Sequence, residues 1–308
     1  MTIASHLPRV CVLMSLYRGT QYLEQQVESI AAQRGVEVHL LVRDDGSGDA
    51  TASEFQTVAQ RHGVSYALIE GVNVGACSSF FELIKCAPEG FDGYAFADQD
   101  DWWRHDKIER AIAELCRTPD TPTLYFCGQT VARKDLSPLH DTMRFERIGF
   151  GNALVQNVVQ GASAVVNPAG LRLLQSIGRP AYAYMHDWWV YLVFTALGQV
   201  RYDHYAGMLY RQHEANVIGV RMSRWSRWRD RLRRYVGAGG GVRSRQAIAF
   251  RAAVGDRLAS KEAMLLDTFI AGHDRIGARI YLLMSRRWWF QHRTDGWIFR
   301  VALAMGRY

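Results

Sequence analysis

No two of the five cysteines, Cys11, Cys77, Cys86, Cys116 and Cys127, approach Cys-x-x-Cys spacing, and none lies beyond residue 127. An odd, scattered set fits neither a disulfide framework nor a zinc site, and suits a reducing cytosol. Long hydrophobic runs are missing as well. Nothing nears the roughly 18 to 20 uncharged apolar residues of a spanning helix, so any membrane contact is expected to be peripheral. Residues 1–9 have no basic segment leading into a long apolar core, and no secretory signal is expected there. No internal repeat is visible.

What remains is ample for a packed core: 308 residues, 48% of them hydrophobic, enough for one large domain or two modest ones. The net charge of +7 is unevenly spread. Up to residue 200 there are 16 basic and 22 acidic residues, and after it 21 basic and 8 acidic. An acidic front and a strongly basic back suggest that the back meets a polyanion, either phospholipid headgroups or nucleic acid.

The run Val10 to Leu16 is continuously apolar, like a buried parallel strand, and Tyr22, Leu23, Val27, Ile30 and Ala31 follow at helical spacing. Val38 to Val42 reads as a second strand ending on Asp44-Asp45-Gly46-Ser47, with a helix from about Ala50 to His62. Strand, helix, strand, helix predicts an α/β unit with a mostly parallel sheet and ligands at the carboxyl ends of the strands. Beyond the loop Asn73-Val-Gly75, Ser78 is expected to cap a helix. Tyr94 to Ala97 is a short strand running into Asp98, and a helix spans about Asp106 to Cys116. Further strands are expected at Thr123–Cys127, Ala162–Val166, Gln199–Tyr202 and Met208–Arg211, with helices beginning near Pro168 and His186. Beyond Gly219, Arg221 to Arg234 holds seven arginines in fourteen residues, interleaved with Trp225 and Trp228. Gly237 to Gly241 then breaks the chain, and Val242 to Tyr308 reads as two or three basic helices. The expected division is a first domain over 1–218 and a basic, aromatic-rich helical region over 219–308.

Asp98, Asp100 and Asp101 on a loop after a buried strand supply closely spaced hard oxygen ligands, an arrangement that lets Mg²⁺ or Mn²⁺ join one or two carboxylates to a substrate diphosphate. A bare Asp-x-Asp also arises often by chance as a solvated turn. The context distinguishes this one: an apolar strand before it, two tryptophans after it, and a second acidic pair, Asp44-Asp45, at another strand end. An EF-hand is excluded by the lack of glycine at the sixth loop position.

Asp44-Asp45-Gly46-Ser47-Gly48-Asp49-Ala50-Thr51 resembles the strand-end signature of family 2 glycosyltransferases. Met14 to Tyr17, Tyr22-Leu23 and Ser29-Ile30-Ala-Ala-Gln33 are similar to the family's opening, and Asn73-Val-Gly75 with Phe80 to its next loop. Phe96-Ala-Asp98-Gln-Asp100-Asp101-Trp102 with Lys107-Ile108 resembles bacterial rhamnosyltransferase-like members. Gln160-Gly161-Ala-Ser163 is similar to the acceptor-side loop, His186-Asp187-Trp188-Trp189 to the position of the catalytic base, and Tyr210-Arg211-Gln212-His213 to the closing motif. Arg18 and Ser79 depart from the pattern, each standing where the family often has asparagine.

The resemblance implies a GT-A fold. It implies nucleotide-sugar contacts at Leu16, Tyr17, Asp44, Asp45, Asn73, Gly75, Asp98, Gln99, Asp100 and Arg211, and a Mg²⁺ or Mn²⁺ ion at Asp100; His213 is read as a further metal ligand or a diphosphate contact shared with Arg211, the plainer alternative being a structural histidine. An acceptor contact is implied at Gly161; Trp188 and Trp189 are read as an apolar face for the acceptor's sugar ring, with core packing as the equal alternative. The donor it suggests is dTDP-L-rhamnose, and the acceptor a lipid-linked or free saccharide in surface polysaccharide assembly, with another nucleotide-sugar such as a UDP-hexose as the alternative.

The chemistry also stands on its own terms. A sugar on a nucleoside diphosphate already carries a good leaving group, so one further carboxylate suffices to deprotonate the acceptor hydroxyl from the opposite face, giving inversion. Asp187 is the candidate; the plainer alternative is an acid in the first turn of a helix. For the basic, aromatic back end, a peripheral seat on the anionic inner face of the membrane is favoured over simple packing, and nucleic acid is not expected. A nucleotidyltransferase would need a glycine-rich basic loop after the first strand, where Leu16-Tyr-Arg-Gly19 stands. A catalytically decayed membrane-docking or scaffolding protein is the non-enzymatic alternative.

Overall fold

The computed structural model describes residues 6–212 and 241–308. The chain divides into two compact units: Met1–Arg144, Val159–Gly178 and Gly198–Val217 form the first, and Phe145–Val158, Arg179–Leu197 and Ile218–Tyr308 the second. The expected boundary near residue 218 lies outside the described residues.

Elements in chain order are β1 (Arg9–Leu16), α1 (Thr20–Ala31), β2 (Glu37–Asp44), α2 (Thr51–Arg61), β3 (Ser65–Glu70), α3 (Ala76–Cys86), β4 (Gly93–Ala97), β5 (Trp102–Trp103), α4 (Lys107–Leu115), β6 (Thr123–Ala132), β7 (Pro138–Asp141), α5 (Phe150–Ala153), β8 (Ala164–Val166), α6 (Pro168–Ile177), α7 (His186–Leu197) and β9 (Gln199–Arg211). Helices α8 (Val242–Val254), α9 (Ser260–Ala271), α10 (Ile276–Met284) and α11 (Arg293–Ala304) follow.

The strands make one mixed sheet in the first unit, ordered β3-β2-β1-β4-β8-β6-β9-β5 with β7 on β6. Strands β1 to β4, β6 and β9 run one way, and β5, β7 and β8 the other. The sheet is therefore mostly parallel, as the alternation of apolar strands and amphipathic helices predicts. Strand β1 is buried at nearly every position because helices cover both faces. Leu23, Val27 and Ile30 of α1, Phe55, Val58 and Ala59 of α2 and Ile108, Ala111 and Ile112 of α4 join it in one core.

Several local expectations need correction. The strands expected at 199–202 and 208–211 are one strand, β9, whose register against β6 shifts around Gly128. Helix α3 starts at Ala76 without a side-chain cap from Ser78. Strand β3 went unforeseen because, at the sheet edge, its residues alternate between exposed and half-buried and form no apolar run. The back end has four helices among the described residues instead of two or three.

In the second unit, α7 is buried along most of its length. Tyr191 donates its hydroxyl to Asn152 Oδ1 at 2.9 Å and accepts from the Gly149 N–H at 3.3 Å. Phe250 of α8 lies against both Trp189 and Phe150. A Cβ on Gly151 would stand 1.8 Å from the Arg287 carbonyl oxygen, so only glycine permits that approach.

Candidate active site

Parallel register brings three strand ends to one edge of the sheet. Leu16 pairs with Asp44 across β1 and β2, and Met14 with Ala97 across β1 and β4. The turns after them, at 17–19, 45–47 and 98–101, therefore share the sheet's carboxyl edge, where open α/β sheets bind ligands.

Asp44 and Asp45 are both buried. Asp44 accepts from the Ser47 N–H at 3.2 Å and from its hydroxyl, and Ser47 Oγ in turn accepts from the Arg18 N–H at 3.0 Å. Arg18 sits at φ 46°, a left-handed conformation that asparagine tolerates better than arginine. Asp45 receives the Val74 and Gly75 N–H groups at 3.0 and 2.9 Å and pairs with the buried Arg43 guanidinium. A carboxylate just past β2 thus anchors the backbone immediately ahead of α3. Ser79 accepts from Arg43 at 3.1 Å and shares a 2.6 Å hydrogen bond with Ser15. Asn73 and Gly75 are exposed beside this network, and the loop passes so close to Gly46 (φ 73°) that a Cβ there would meet the Asn73 nitrogen at 2.7 Å.

The acidic loop is braced from two sides. Gln99 clamps the Tyr17 backbone, accepting its N–H at 2.9 Å and donating to its carbonyl at 3.1 Å. Opposite, the Arg211 N–H donates to Asp101 Oδ1 at 3.1 Å, and the guanidinium donates to the carbonyls of Asp100 (2.7 Å) and Lys134 and to Gln25 Oε1 (2.6 Å). The same guanidinium lies 4.2 Å over the Tyr22 ring. Further along α1, Ser29 Oγ accepts the Trp103 N–H at 3.0 Å, and Gln33 bridges the Arg104 carbonyl (2.8 Å) and the Ile108 N–H (3.0 Å). Tyr22 and Gln25 of α1 thus hold Arg211, while Ser29 and, just past the helix end, Gln33 hold the segment from Trp103 to Ile108.

Asp98, Gln99 and Asp100 are half-buried, whereas Asp101 is fully buried, with Oδ2 lacking a hydrogen-bond partner. Burial, with Asp100 and Asp98 nearby, pushes the Asp101 carboxyl well above the usual range. Lys107 is buried too. Its ammonium sits 3.3 Å over the Trp103 ring, and burial pulls it down to about 8. Asp98 and Asp100 thus remain as the oxygen donors reachable from solvent. Among the described residues no three His, Cys, Asp or Glu side chains gather to hold a metal unaided; His213 lies outside the described residues.

Gly161 lies in a buried 3-10 turn tied to β6 through Gln129 and Gln160 and through Cys127 and the Ser163 carbonyl. Asp187 is buried in the first turn of α7, where Oδ1 accepts from Asn157 Nδ2 at 3.0 Å and from the Trp188 N–H at 2.6 Å. Trp188 and Trp189 are buried, the former donating Nε1–H to the Ala153 carbonyl at 2.6 Å and the latter stacked edge-on to Phe250. Sequence reasoning did not foresee Arg43, Gln25 or Lys134; of these only Arg43, a charge inside an apolar strand, carried a signal.

The family model for glycosyl transferase family 2 matches residues 11–165. The chain belongs to that family. It is 29% identical over 224 residues to the dTDP-rhamnosyl transferase RfbG of Shigella flexneri, covering 68% of this chain and 75% of the relative. With the putative teichuronic acid biosynthesis glycosyltransferase TuaG of Bacillus subtilis it shares 26% identity over 156 residues, covering 49% of this chain and 59% of TuaG. Among solved structures, the mannosyltransferase PcManGT of Pyrobaculum calidifontis, in complex with GDP-Man and Mn²⁺, aligns with a TM-score of 0.56 at 16% identity, covering 98% of this chain and 74% of that one. S. aureus TarS 1-349 with UDP-GlcNAc aligns with a TM-score of 0.58 at 12% identity, covering 97% and 80%. These likenesses establish a GT-A-type fold, and this family 2 chain is a glycosyltransferase.

Proposed function

We propose that this glycosyltransferase is metal-dependent and inverting, and that it transfers L-rhamnose from dTDP-L-rhamnose to a saccharide or polyprenyl-linked saccharide in surface polysaccharide assembly. The observation that carries the donor site is the convergence of Tyr17, Asp44, Asp45 and the 98–101 loop on one sheet edge. The rhamnosyl assignment draws its support from the relative RfbG.

The donor's base and ribose lie along Leu16, Tyr17, Asp44, Asp45, Asn73 and Gly75, and its diphosphate beside Asp98, Gln99 and Asp100. Half-exposed Asp98 and Asp100 fit a Mg²⁺ or Mn²⁺ ion of the sort that takes one or two carboxylates and completes its shell with phosphate and water. His213 is a further ligand in this reading. When bound, the ion neutralises charge developing on the leaving diphosphate. Arg211 positions the loop: its guanidinium is already engaged by carbonyls, Gln25 and Tyr22. Asp187 takes the proton from the acceptor hydroxyl as its oxygen bonds to the anomeric carbon and the bond to the diphosphate breaks. Gly161 belongs to the acceptor side. Trp188 and Trp189, whose rings are buried, offer no open face for a sugar ring.

No described helix is long and apolar enough to cross a membrane, and the basic back end serves as a peripheral seat on an anionic inner leaflet.

The test is a nucleotide-release screen of dTDP-, UDP- and GDP-sugars with and without Mn²⁺ or Mg²⁺. Expected are release of dTDP from dTDP-L-rhamnose, abolition by a chelator, and at least about a 100-fold loss in Asp100→Ala. Transfer that survives chelation, or in Asp100→Ala, refutes the metal role; preference for a UDP-hexose refutes the rhamnosyl assignment.

A further inference from the structure

We infer that the hairpin of α10 and α11 is the surface by which the second unit seats on an anionic bilayer; this deepens, and rests on, the peripheral membrane reading above. Arg279 of α10 donates to the Gly272 carbonyl at 3.0 Å and reaches Gly306 beyond α11, while Arg300 of α11 reaches the Ser285 carbonyl at the end of α10. The start of one helix therefore meets the end of the other, and the two lie antiparallel.

Each helix leaves a stripe of large apolar side chains uncovered. On α10 these are Ile276 (69% exposed), Ile280 (52%) and Met284 (81%), at i, i+4 and i+8. On α11 and its cap they are Trp297 (71%), Val301 (54%) and Met305 (47%), at the same spacing. The opposite sides are covered: Leu282 is buried on α10, and Ile298, Phe299, Ala302 and Leu303 on α11. Two apolar stripes in contact with water on neighbouring helices are unusual for a monomeric domain and mark a surface that docks.

Charge selects the partner. From Arg275 to Tyr308 there are seven arginines and one acid, Asp295, which is buried. Apolar stripes, one of them carrying a tryptophan, framed by arginines and with a single exposed acid, Asp274, just ahead of α10, have the composition of helices that lie in the headgroup region of an anionic membrane.

The experiment uses the full chain with vesicles of phosphatidylcholine alone and of phosphatidylcholine with phosphatidylglycerol, read by co-sedimentation. Wild type is expected to bind only the anionic vesicles. Met284→Asp/Trp297→Asp should lower partitioning about tenfold or more while keeping its thermal midpoint, since both side chains already face solvent, and Trp297→Phe should bind like wild type. Wild type that binds neither vesicle overturns both the inference and the peripheral reading. Binding undiminished in the double variant overturns the inference alone and places the contact elsewhere in the chain. A lipid-free dimer that the double variant dissociates, with vesicle binding intact, also overturns it, making this face an interface between copies.

Discussion

The Arg211 N–H donates to Asp101 Oδ1 at 3.1 Å, joining residues 110 positions apart. The pair ties the last strand of the sheet to the loop after β4, so the acidic run is held by β9 as well as by its own neighbours. Because the guanidinium also satisfies two carbonyls and Gln25 in half-buried contacts, and is itself buried, replacing it removes three hydrogen bonds and leaves a gap in the packing. Arg211→Met is expected to destabilise the protein by about 2–4 kcal/mol in urea unfolding. Arg211→Lys, with one ammonium in place of a planar fork, should fold better yet lose about 10–100-fold in kcat/KM as the loop loosens. Wild-type activity in Arg211→Lys would show that the loop holds its geometry without this brace.

Gly19 and Gln99 form a second dependency. A Cβ on Gly19 would stand 2.1 Å from the Gln99 amide, which clamps the Tyr17 backbone. Gly19→Ala must therefore eject the clamp, and Gln99→Ala removes it. Each is expected to lower kcat/KM for the donor about tenfold, chiefly through KM, and Gly19→Ala/Gln99→Ala should be no worse than Gly19→Ala alone. Additive losses in this cycle would mean that the two residues act separately.

Much of this was legible beforehand, and the boundary of legibility is physical. Strands β1, β2 and β4 announce themselves because burial on both faces requires unbroken apolar runs, and the acidic turns at their ends follow from parallel topology. Edge strand β3, half exposed, carries no such run. The bracing by Tyr22, Gln25, Ser29 and Gln33 is written at helical spacing, but polar residues on a helix face ordinarily meet water, and only the fold shows that the first two meet Arg211 and the last two the 103–108 segment. Trp188 and Trp189 next to an acid suggested a sugar platform; the hydrophobic packing of α7 against α8 within the second unit buries both rings.

Lys107 sets a pH signature. Its folded value of about 8 lies below its ordinary 10.5 because burial disfavours the ammonium. Between those values the unfolded chain holds more protons on this group than the folded one, so its contribution to stability rises with pH across that window. Below about 8 the cost of the buried charge is fully present. Wild type is therefore expected to gain stability relative to Lys107→Met as pH rises from 7.5 to 9.5, read from urea midpoints, with the comparison made in a Cys127→Ala background because the neighbouring thiol is coupled to Lys107. A difference that is flat or falls with pH contradicts the assignment.

Asp187 separates chemistry from architecture most sharply. In the first turn of α7 its carboxylate accepts from the Trp188 N–H and from Asn157, an arrangement that by itself serves a helix start. Asp187→Asn keeps an oxygen to accept both hydrogen bonds but cannot take up a proton at neutral pH. A helix-start role predicts at most about 1 kcal/mol lost and near-normal turnover; a base predicts a kcat lower by about 100- to 10,000-fold with donor KM little changed. Asn157→Ala loosens the carboxylate without removing it, so its kcat should fall between the two. If Asp187→Asn turns over like wild type while Asn157→Ala unfolds early, the residue belongs to the architecture of α7 and the proton goes elsewhere.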